Sequence, residues 1–477
     1  MPLPDQVVAA LHPKLSFKKT TFVRPTHTNY AEQDSDFNVS PVQITEVSMY
    51  EMIGGALVTG VGLLTKLVMS LHAVGLTVRF VDISPPRDRP DCYVPDWDNL
   101  FANMPMLRPK QIEALQRAVA SEHGVIAAAT GFGKSFLVEA FCHLYPRAKV
   151  HYVVPQRDVA KKVYATLVSK FAGVGFYGAN NKLAGERITV FTAGSRHYTD
   201  GDADLLLLDE VHEMMTDNVA KDLVSFWPRS RIFGLTATPS SRADGADAQL
   251  ELFCGPEIFR LTYSEAVELG LVVPIRVRWI NVRVTPNPVA ACAQSVKMRH
   301  GVWRNTVRNA TIAADVRENY KDPDTQILIL CATVDHAIHL WQHLREFSLC
   351  FSNVEKLSTQ WYISQNLLPH GFETVTPAVR ESMRKRFAEG SLKRVIATDV
   401  WMTGVDFTPL QVLYRVDGRA SAIKDAQGPG RVSRLHDGKL FGEVVDCYDT
   451  FDPGFRRRSD TRRRNYASFG WTQTFEW

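Results

Sequence analysis

The chain has few cysteines, and they form no pattern that suggests a disulfide framework. Seven cysteines are scattered over 477 residues without a C-x-x-C pair, and no histidines cluster at the spacing of metal ligands. Disulfide-stabilised domains and structural zinc sites usually show such spacings. We therefore expect neither disulfides nor structural zinc, and a reducing compartment: the cytoplasm, or the host cytoplasm if the protein is viral.

Long apolar segments are also missing. An uncharged run at residues 52–65 has only 14 residues, whereas a membrane-spanning helix needs about 20. The N-terminal residues lack the basic start and continuous apolar core of a signal peptide. We expect no membrane association, and we interpret residues 52–65 as a buried strand followed by the start of a helix.

The net charge is small. It is +4 at pH 7, with 45% hydrophobic and 22% charged residues, as in ordinary soluble proteins. Nucleic-acid binding would therefore require local basic patches. One candidate is the segment with six arginines at residues 456–464, followed by Tyr466, Phe469 and Trp471. Such a segment can bind phosphates and stack on bases, or it can be a solvated helix. We favour packing on the last sheet for the aromatic residues and phosphate binding for the arginines.

The elements change character along the chain. Residues 1–100 carry no recognisable chemistry and are predicted to form a small α+β accessory domain, which either reads the substrate or only packs. From residue 107 onward, apolar strands alternate with helices, a pattern typical of buried parallel sheets. The predicted fold class is α/β, with two tandem doubly wound parallel-sheet domains at residues 101–275 and 276–477. The second domain would follow a connecting region at residues 275–320.

Residues 124–135 have the features of a phosphate-binding loop. An apolar strand leads to a glycine-containing turn and then to a helix whose N-terminus favours anions. Lys134 can reach the terminal phosphate oxygens, and Ser135 can hold Mg²⁺. The strict pattern would have glycine where Ala128 stands. The residues predicted to bind the nucleotide here are Thr130, Gly131, Phe132, Gly133, Lys134 and Ser135.

A second motif lies about 75 residues further on. The apolar run at residues 205–208 ends in Asp209 and Glu210, where α/β motor proteins hold Mg²⁺ and orient the attacking water. The two motifs together indicate a nucleotide-driven enzyme. Because the second domain has no phosphate loop of its own, we predict that ATP lies in the cleft between the two sheets.

Eight short motifs follow one another in the order of superfamily 2 helicases. They are LRPKQ (107–111), ATGFGKS (129–135), VPQRDVAKK (154–162), FTAGS (191–195), DEVH (209–212), LTATP (235–239), ATDVWMTGVDF (397–407) and QGPGRVSR (427–434). The chain resembles the DExH-type DNA helicases and is most similar to the phage UvsW-like group, with RecG and XPB more distant. The resemblance implies RecA-like domains, ATP and Mg²⁺ as cofactors, and DNA as the partner.

The resemblance also implies roles for individual residues. Gln111 would read the adenine edge, although Lys110 replaces the usual tyrosine. Asp209 would hold Mg²⁺, and Glu210 would deprotonate water. Arg431 and Arg434, three apart on one helical face, would contact the γ-phosphate from the second domain. Gly428 stands where the family often has arginine, so QGPGRVSR could also be a simple turn. The predicted catalytic residues are Lys134, Asp209, Glu210, Gln427, Arg431 and Arg434.

Further residues complete the predicted site. Gly404 and Asp406 would touch the nucleotide sugar, and Thr236 and Thr238 would couple the ATP site to the nucleic-acid track. The residues predicted to contact nucleic acid, mainly its phosphate backbone, are Pro155, Gln156, Arg157, Thr192, Ser195 and Thr398.

These motifs predict an ATP-dependent DNA helicase or translocase acting on branched DNA, or on duplex DNA with single-stranded regions. Its pathway would be phage-type recombination, replication or repair. The alternatives are a duplex translocase, an RNA helicase, and a catalytically inactive nucleic-acid clamp. The intact set of Lys134, Asp209, Glu210, Arg431 and Arg434 argues against the clamp.

Overall fold

The structure is a computed structural model. It describes residues 5–22, 42–53, 56–59, 61–77, 90–129, 131–178, 181–199, 201, 203–214, 226–227, 230–237, 248–293, 296–351, 356–372, 375–398, 401 and 407–476. The described residues fall into two compact units, residues 5–22 with 42–262 in the first and residues 263–476 in the second.

The N-terminal part of the first unit consists of short elements. Its strands form two antiparallel pairs, β1 with β2 and β3 with β4. The elements are α1 (Asp5–Leu11), β1 (Ser16–Phe22), β2 (Val42–Ser48), β3 (Tyr50–Ile53), β4 (Ala56–Thr59), α2 (Leu64–Ala73) and α3 (Trp97–Asn103). Residues 52–65 thus contain strand residues and a helix start, as predicted. The predicted burial was wrong, because Met52 and Ile53 are 41% and 55% exposed on a hairpin that pairs only with itself among the described residues.

The main sheet of the first unit has eight described strands in the order β12–β5–β11–β10–β6–β9–β7–β8. All neighbours are parallel except β7 and β8. The strands are β5 (His123–Ala128), β6 (Val150–Val154), β7 (Gly175–Gly178), β8 (Asn181–Leu183), β9 (Ile188–Thr192), β10 (Leu205–Leu208), β11 (Arg231–Thr236) and β12 (Glu257–Leu261). The helices are α4 (Pro109–Val119), α5 (Lys134–Leu144), α6 (Arg157–Val168), α7 (Val211–Met214) and α8 (Ala248–Cys254).

Continuous apolar runs produce these strands. Every residue of β6 and of β10 is buried, as expected when elements cover both faces of a parallel sheet. The N-terminal part packs against α8 through a cluster that includes Leu11, Leu63 and Leu252. Gly62 lies so close to α8 that a Cβ would collide with the Glu251 carbonyl oxygen.

The sheet of the second unit has seven described strands, all parallel, in the order β15–β16–β14–β17–β18–β13–β19. The strands are β13 (Ile275–Val282), β14 (Ile327–Leu330), β15 (Ser348–Cys350), β16 (Arg394–Ala397), β17 (Val412–Arg415), β18 (Gly442–Asp449) and β19 (Thr472–Glu476). The helices are α9 (Tyr263–Glu268), α10 (Thr306–Asn319), α11 (Val334–Trp341), α12 (Lys356–Ser364), α13 (Pro377–Ala388), α14 (Ala422–Gln427) and α15 (Pro453–Ser468). The predicted fold class, with two parallel-sheet α/β domains, is confirmed.

One sequence interpretation in this unit was wrong. Residues 275–282, predicted to be part of a connecting region, form β13 between β18 and β19. Alternating arginines conceal the strand in the sequence. Arg278 is buried and its Nη1 donates to Asp315 Oδ1 at 2.6 Å, so the partner that makes its burial possible lies on α10.

The C-terminal helix α15 separates its arginines into two groups. Arg462 is 1% exposed and its Nε donates to Asp446 Oδ2 at 3.0 Å, whereas Arg463 and Arg464 are exposed. Tyr466 and Trp471 are buried, as expected for aromatic residues that pack on the last sheet. None of the helices described for this chain is long and apolar enough to cross a membrane.

Candidate functional site

The predicted phosphate loop connects β5 to α5. Gly131 and Gly133 have φ angles of 99° and 89°, in the left-handed region that glycine adopts without steric cost. Phe132 is fully buried and stacks on Phe259, with ring centroids 5.6 Å apart. The buried phenylalanine holds the turn in place. The backbone N–H groups at the N-terminus of α5, which follows the turn, can bind an anion. Thr130 lies outside the described residues.

Lys134 is the first residue of α5 and lies between two acceptors. Its Nζ donates to Ala128 O at 3.3 Å and is 3.8 Å from Glu210 Oε1. Ala128, which replaces the glycine of the strict pattern, therefore still presents its carbonyl to the lysine. Ser135 is exposed in the first turn of α5. The structure thus brings the phosphate loop and the acidic motif together, as the sequence predicted.

Asp209 and Glu210 follow β10 directly. Glu210 N donates to Asp209 Oδ1 at 3.1 Å, and Glu210 has a φ of 41°, which is uncommon outside glycine and typical of functional turns. Burial, and then the charge on Glu210, raises the pKa of Asp209 to about 6, while the Lys134 charge lowers it. A divalent cation would favour the ionised form. Carboxylate and hydroxyl oxygens are the ligands that Mg²⁺ prefers, so Asp209 and Ser135 fit this ion.

The second carboxylate oxygen of Glu210, Oε2, is a hydrogen-bond acceptor within the site. It is buried and has no hydrogen-bond partner in the described part of the chain. The nearest cationic candidate is His212, whose Nδ1 is 3.6 Å away. Burying a carboxylate oxygen without a donor is costly, so the position favours a small donor such as water. An activated water is the nucleophile that nucleotide hydrolysis needs.

A buried contact links the acidic motif to the neighbouring strand. His212 Nδ1 and Thr236 Oγ1 are 2.6 Å apart, and both residues are completely buried. Thr236 ends β11, which pairs with β10. The sequence predicted Thr236 as a coupling residue but gave His212 no role, because nothing in its local pattern identifies this partner. Thr238 lies outside the described residues.

Gln111 fastens α4 to the phosphate loop. Its Nε2 donates to Phe132 O at 2.9 Å, and its Oε1 accepts from Arg108 N at 3.0 Å. The side chain is buried against Gly133, where a Cβ would lie 2.8 Å from Gln111 Nε2. In this structure Gln111 positions the loop, and its contact with adenine stays a prediction.

The predicted nucleic-acid residues of the first unit lie at the same edge of the sheet. Pro155 and Gln156 follow β6, and Arg157 begins α6 with its side chain exposed. Thr192 ends β9, and its Oγ1 donates to Ser195 Oγ at 2.9 Å. Because β5, β6, β9, β10 and β11 are parallel, their carboxyl ends share one edge. The sheet therefore places these residues in one row with the phosphate loop.

The QGPGRVSR segment is not one helix. Gln427 ends α14, Arg431 lies in a 3-10 helix (Pro429–Ser433), and Arg434 has an extended backbone with φ −63° and ψ 138°. The expectation that Arg431 and Arg434 share one helical face was therefore wrong. Pro429 lacks an N–H group and interrupts the α-helix. Arg431 is only 8% exposed.

Other predicted residues of the second unit are less informative. Thr398 follows β16, is buried, and its N donates to Cys350 O at 3.2 Å. It lies at the carboxyl end of its strand, like the first-unit residues in their own sheet. Gly404 and Asp406 lie outside the described residues.

A buried polar cluster holds α14 to the second sheet. Arg415, at the end of β17, has Nη1 2.5 Å from Asp425 Oδ1 of α14, and its Nε donates to Asp417 Oδ1 at 3.2 Å. Its Nη1 also donates to Tyr466 OH at 3.0 Å, and that hydroxyl donates to Asp446 at 2.7 Å. We call Arg415, Asp417, Asp425, Asp446 and Tyr466 the Arg415 cluster. It fixes the helix that ends at Gln427.

Comparison with known proteins agrees with this geometry. The profile of the type III restriction enzyme res subunit matches residues 104–241. A protein of Sulfolobus islandicus filamentous virus that is named as a helicase is 24% identical over 52% of this chain and 43% of its own length. The DNA 3'-5' translocase XPB2 of Sulfurisphaera tokodaii is 23% identical over 71% of this chain and 81% of its own. The chain thus spans less than half of the viral relative.

The fold is shared with the solved structure of Dbp5. S. cerevisiae Dbp5 bound to RNA and ADP BeF3 is 14% identical, with a TM-score of 0.51 over 81% of this chain and 93% of that chain. T4 UvsW is 15% identical, with a TM-score of 0.41 over 99% of this chain and 96% of that chain. The match to the res-subunit profile and the helicase- and translocase-named relatives bear out the resemblance to superfamily 2 helicases.

Proposed function

We propose that this protein is an ATP-dependent DNA helicase or translocase that acts on branched DNA or on duplexes with single-stranded regions. The observation that carries the proposal is the proximity of Lys134 to Glu210, beside a buried carboxylate oxygen that has no hydrogen-bond donor among the described residues. DNA is favoured over RNA because XPB2, which is similar along most of its length, is named a DNA translocase. A role in recombination, replication or repair follows from the UvsW-like motif order.

Each part of the first-unit site has a chemical task in this proposal. Lys134 exchanges its contact with Glu210 for the phosphate oxygens of the nucleotide. Asp209 and Ser135 would hold Mg²⁺, which supplies charge neutralisation at the phosphates. Glu210 then accepts a hydrogen bond from the attacking water at Oε2 and takes its proton. Because Lys134 and Glu210 contact each other, binding of the phosphates is expected to free the base.

Three residues of the second unit are proposed to act on the nucleotide. Arg431 is the candidate finger, because it occupies the finger position of the QGPGRVSR motif. A missing arginine finger typically costs on the order of 10³-fold or more in turnover. Gln427 and Arg434 are proposed to contact the γ-phosphate region.

The His212–Thr236 contact is the proposed link from hydrolysis to movement. His212 lies close to both Glu210 and Thr236. A change in hydrogen bonding at Glu210 would therefore alter the contact between His212 and Thr236 at the end of β11. We propose that the row of Pro155, Arg157 and Thr192 binds the phosphate backbone at this edge.

Strand displacement on matched substrates tests the proposal. The purified chain is assayed with ATP on forked DNA, a four-way junction, blunt duplex DNA and a forked RNA, with Glu210→Gln as the catalytic control. ATP-dependent displacement of forked or junction DNA that Glu210→Gln lacks supports the proposal. Displacement of RNA alone would make it an RNA helicase. Duplex-stimulated hydrolysis without displacement would make it a duplex translocase, and binding without hydrolysis a clamp.

A further inference from the structure

Three aromatic rings stack in a row at the carboxyl edge of the first sheet. Phe191 of β9 and Tyr177 of β7 have ring centroids 5.2 Å apart with planes at 5°. Tyr177 and Tyr198 are 5.9 Å apart with planes at 17°. Tyr198 ends the 3-10 helix (Ala193–Tyr198) that follows β9. We call these three residues the aromatic stack.

The inner end of the aromatic stack is fixed in the core. Phe191 is 1% exposed and contacts Trp227 edge-on, with centroids 6.2 Å apart. Trp227 is held in turn by a hydrogen bond from its Nε1 to His151 Nδ1 at 2.8 Å. Tyr177 stacks on Phe191 because the two residues are direct cross-strand partners in the β7–β9 register. The row of rings is therefore supported from the interior outward.

The outer end of the aromatic stack is partly exposed, with the His197 ring centroid 4.1 Å and Lys182 Nζ 4.3 Å from the centroid of Tyr198. Tyr198 is 41% exposed, although its ring is positioned by Tyr177. A ring that is already ordered loses little conformational entropy when a flat ligand stacks on it. Base–aromatic stacking is the interaction by which single-stranded nucleic acid is bound without regard to sequence. An exposed and pre-ordered tyrosine is suited to that task.

A cationic side chain lies over the partly exposed ring. Lys182 of β8 has its Nζ 4.3 Å from the Tyr198 centroid, and the lysine side chain is exposed. Thr192, at the end of β9, and Ser195, in the following 3-10 helix, are the predicted phosphate contacts and precede Tyr198 in the chain. A base stacked on Tyr198 would bring its own phosphates close to this lysine. The lysine charge is therefore suited to the phosphate of a nucleotide, and the tyrosine ring is suited to its base.

We propose that Tyr198 is a stacking platform for a base of the single strand, and that Lys182 binds an adjacent phosphate. The proposal rests on the proposed function and extends it. It adds a base contact to residues that are otherwise proposed to contact the phosphate backbone of the nucleic acid. Lys182 would exchange its cation–π contact with the ring for a phosphate contact. The platform would hold the strand at the edge of the sheet beyond Thr192.

Salt-dependent binding separates stacking from charge. Affinity of the full chain for a dT oligonucleotide is measured from low to high salt without nucleotide. Tyr198→Ala and Tyr198→Leu are expected to weaken binding on the order of tenfold at every salt concentration with an unchanged salt slope. Tyr198→Phe, which keeps the π-face, should bind like the wild type. Lys182→Gln should instead reduce the slope by about 0.7, the value for one lost phosphate contact on a single strand.

The matched control is Phe101→Ala. Phe101 is 42% exposed and stacked on Trp97 at 5.9 Å, so it resembles Tyr198 but lies on α3. Equal loss in Phe101→Ala and Tyr198→Ala would overturn the proposal, as would a Tyr198→Phe variant as weak as Tyr198→Ala. Wild-type affinity in Tyr198→Ala would also overturn it. Absence of binding by the wild type would instead refute the proposed function, so the two failures are distinguishable.

Discussion

Asp425 offers the sharpest test of how the second unit is held together. Its side chain is completely buried, and three groups depend on it. Arg415 Nη1 lies 2.5 Å from Oδ1, Ser421 N donates to the same oxygen at 3.1 Å, and Asn465 Nδ2 donates to Oδ2 at 2.5 Å. Asp425→Ala would remove an anion from a buried arginine and leave two further donors without their acceptor.

The magnitude follows from what remains around Arg415. Removing one partner of a buried ion pair typically costs 3–5 kcal/mol. Arg415 would keep Asp417, whose Oδ1 is 3.2 Å from its Nε. The charges on Arg415, Arg462 and Arg419 outweigh burial and lower the pKa of Asp417, so this carboxylate stays ionised. We therefore expect a loss at the lower end of the range, about 3 kcal/mol.

Hydrogen exchange can measure this loss in the second unit alone. A chain with two compact units does not guarantee a single unfolding transition, whereas denaturant-dependent exchange of peptides from β17 and α14 reports their own opening free energy. The control is Glu389→Ala. Glu389 pairs with Lys385 at 4.0 Å on an exposed surface, so its removal should change stability by less than about 0.5 kcal/mol.

Two results would refute the reasoning. A loss below about 1 kcal/mol in Asp425→Ala would mean that Arg415 does not need this partner. Asp425→Asn keeps one side-chain oxygen as an acceptor for Arg415 and Ser421 N but removes the negative charge. It should therefore lose less stability than Asp425→Ala, and a greater loss in Asp425→Asn would contradict this account.

Three further outcomes are expected. Lys134→Ala should abolish ATP hydrolysis with little change in thermal unfolding, because its charge acts on phosphate and its contacts within the fold are the long ones to Ala128 O and Glu210 Oε1. Normal turnover would exclude this loop as the ATP site. Arg431→Ala should leave ATP affinity within a few-fold of wild type but lower DNA-stimulated turnover on the order of 10³-fold. Both quantities are measured on the same preparation. Near-normal turnover would show that this arginine has no part in the mechanism. His336 is completely buried, and neither of its ring nitrogens has a partner among the described residues. Burial, and then the charge on Arg308, lowers its pKa well below the ordinary value. The unfolded chain therefore takes up a proton that the folded chain does not, and stability should fall as the pH drops below about 6.5, with a slope approaching about 1.4 kcal/mol per pH unit. His336→Leu should weaken that dependence in pH-series unfolding, and an unaltered slope would show that other groups cause it.

Local patterns were sufficient for the parts of the site that one segment builds. The turn from β5 to α5 depends on Gly131 and Gly133, since their left-handed backbone is a property of those positions alone. Likewise, β10 is a continuous apolar run, so Asp209 and Glu210 could be placed at a strand end from the sequence. Parallel pairing then brings both ends to one edge, which is why Lys134 and Glu210 could be predicted to meet.

Tertiary structure alone decided features that depend on a distant partner. The sequence makes Arg462 and Arg463 look alike, but only Arg462 faces Asp446 and is buried. Arg278 looks like a surface residue until Asp315 neutralises it. His212 meets Thr236 because β10 and β11 are neighbours, and Tyr198 becomes a platform because β7 lies beside β9. A charged or aromatic side chain takes its role from the groups that desolvate, neutralise or support it, and those groups come together only when the chain folds.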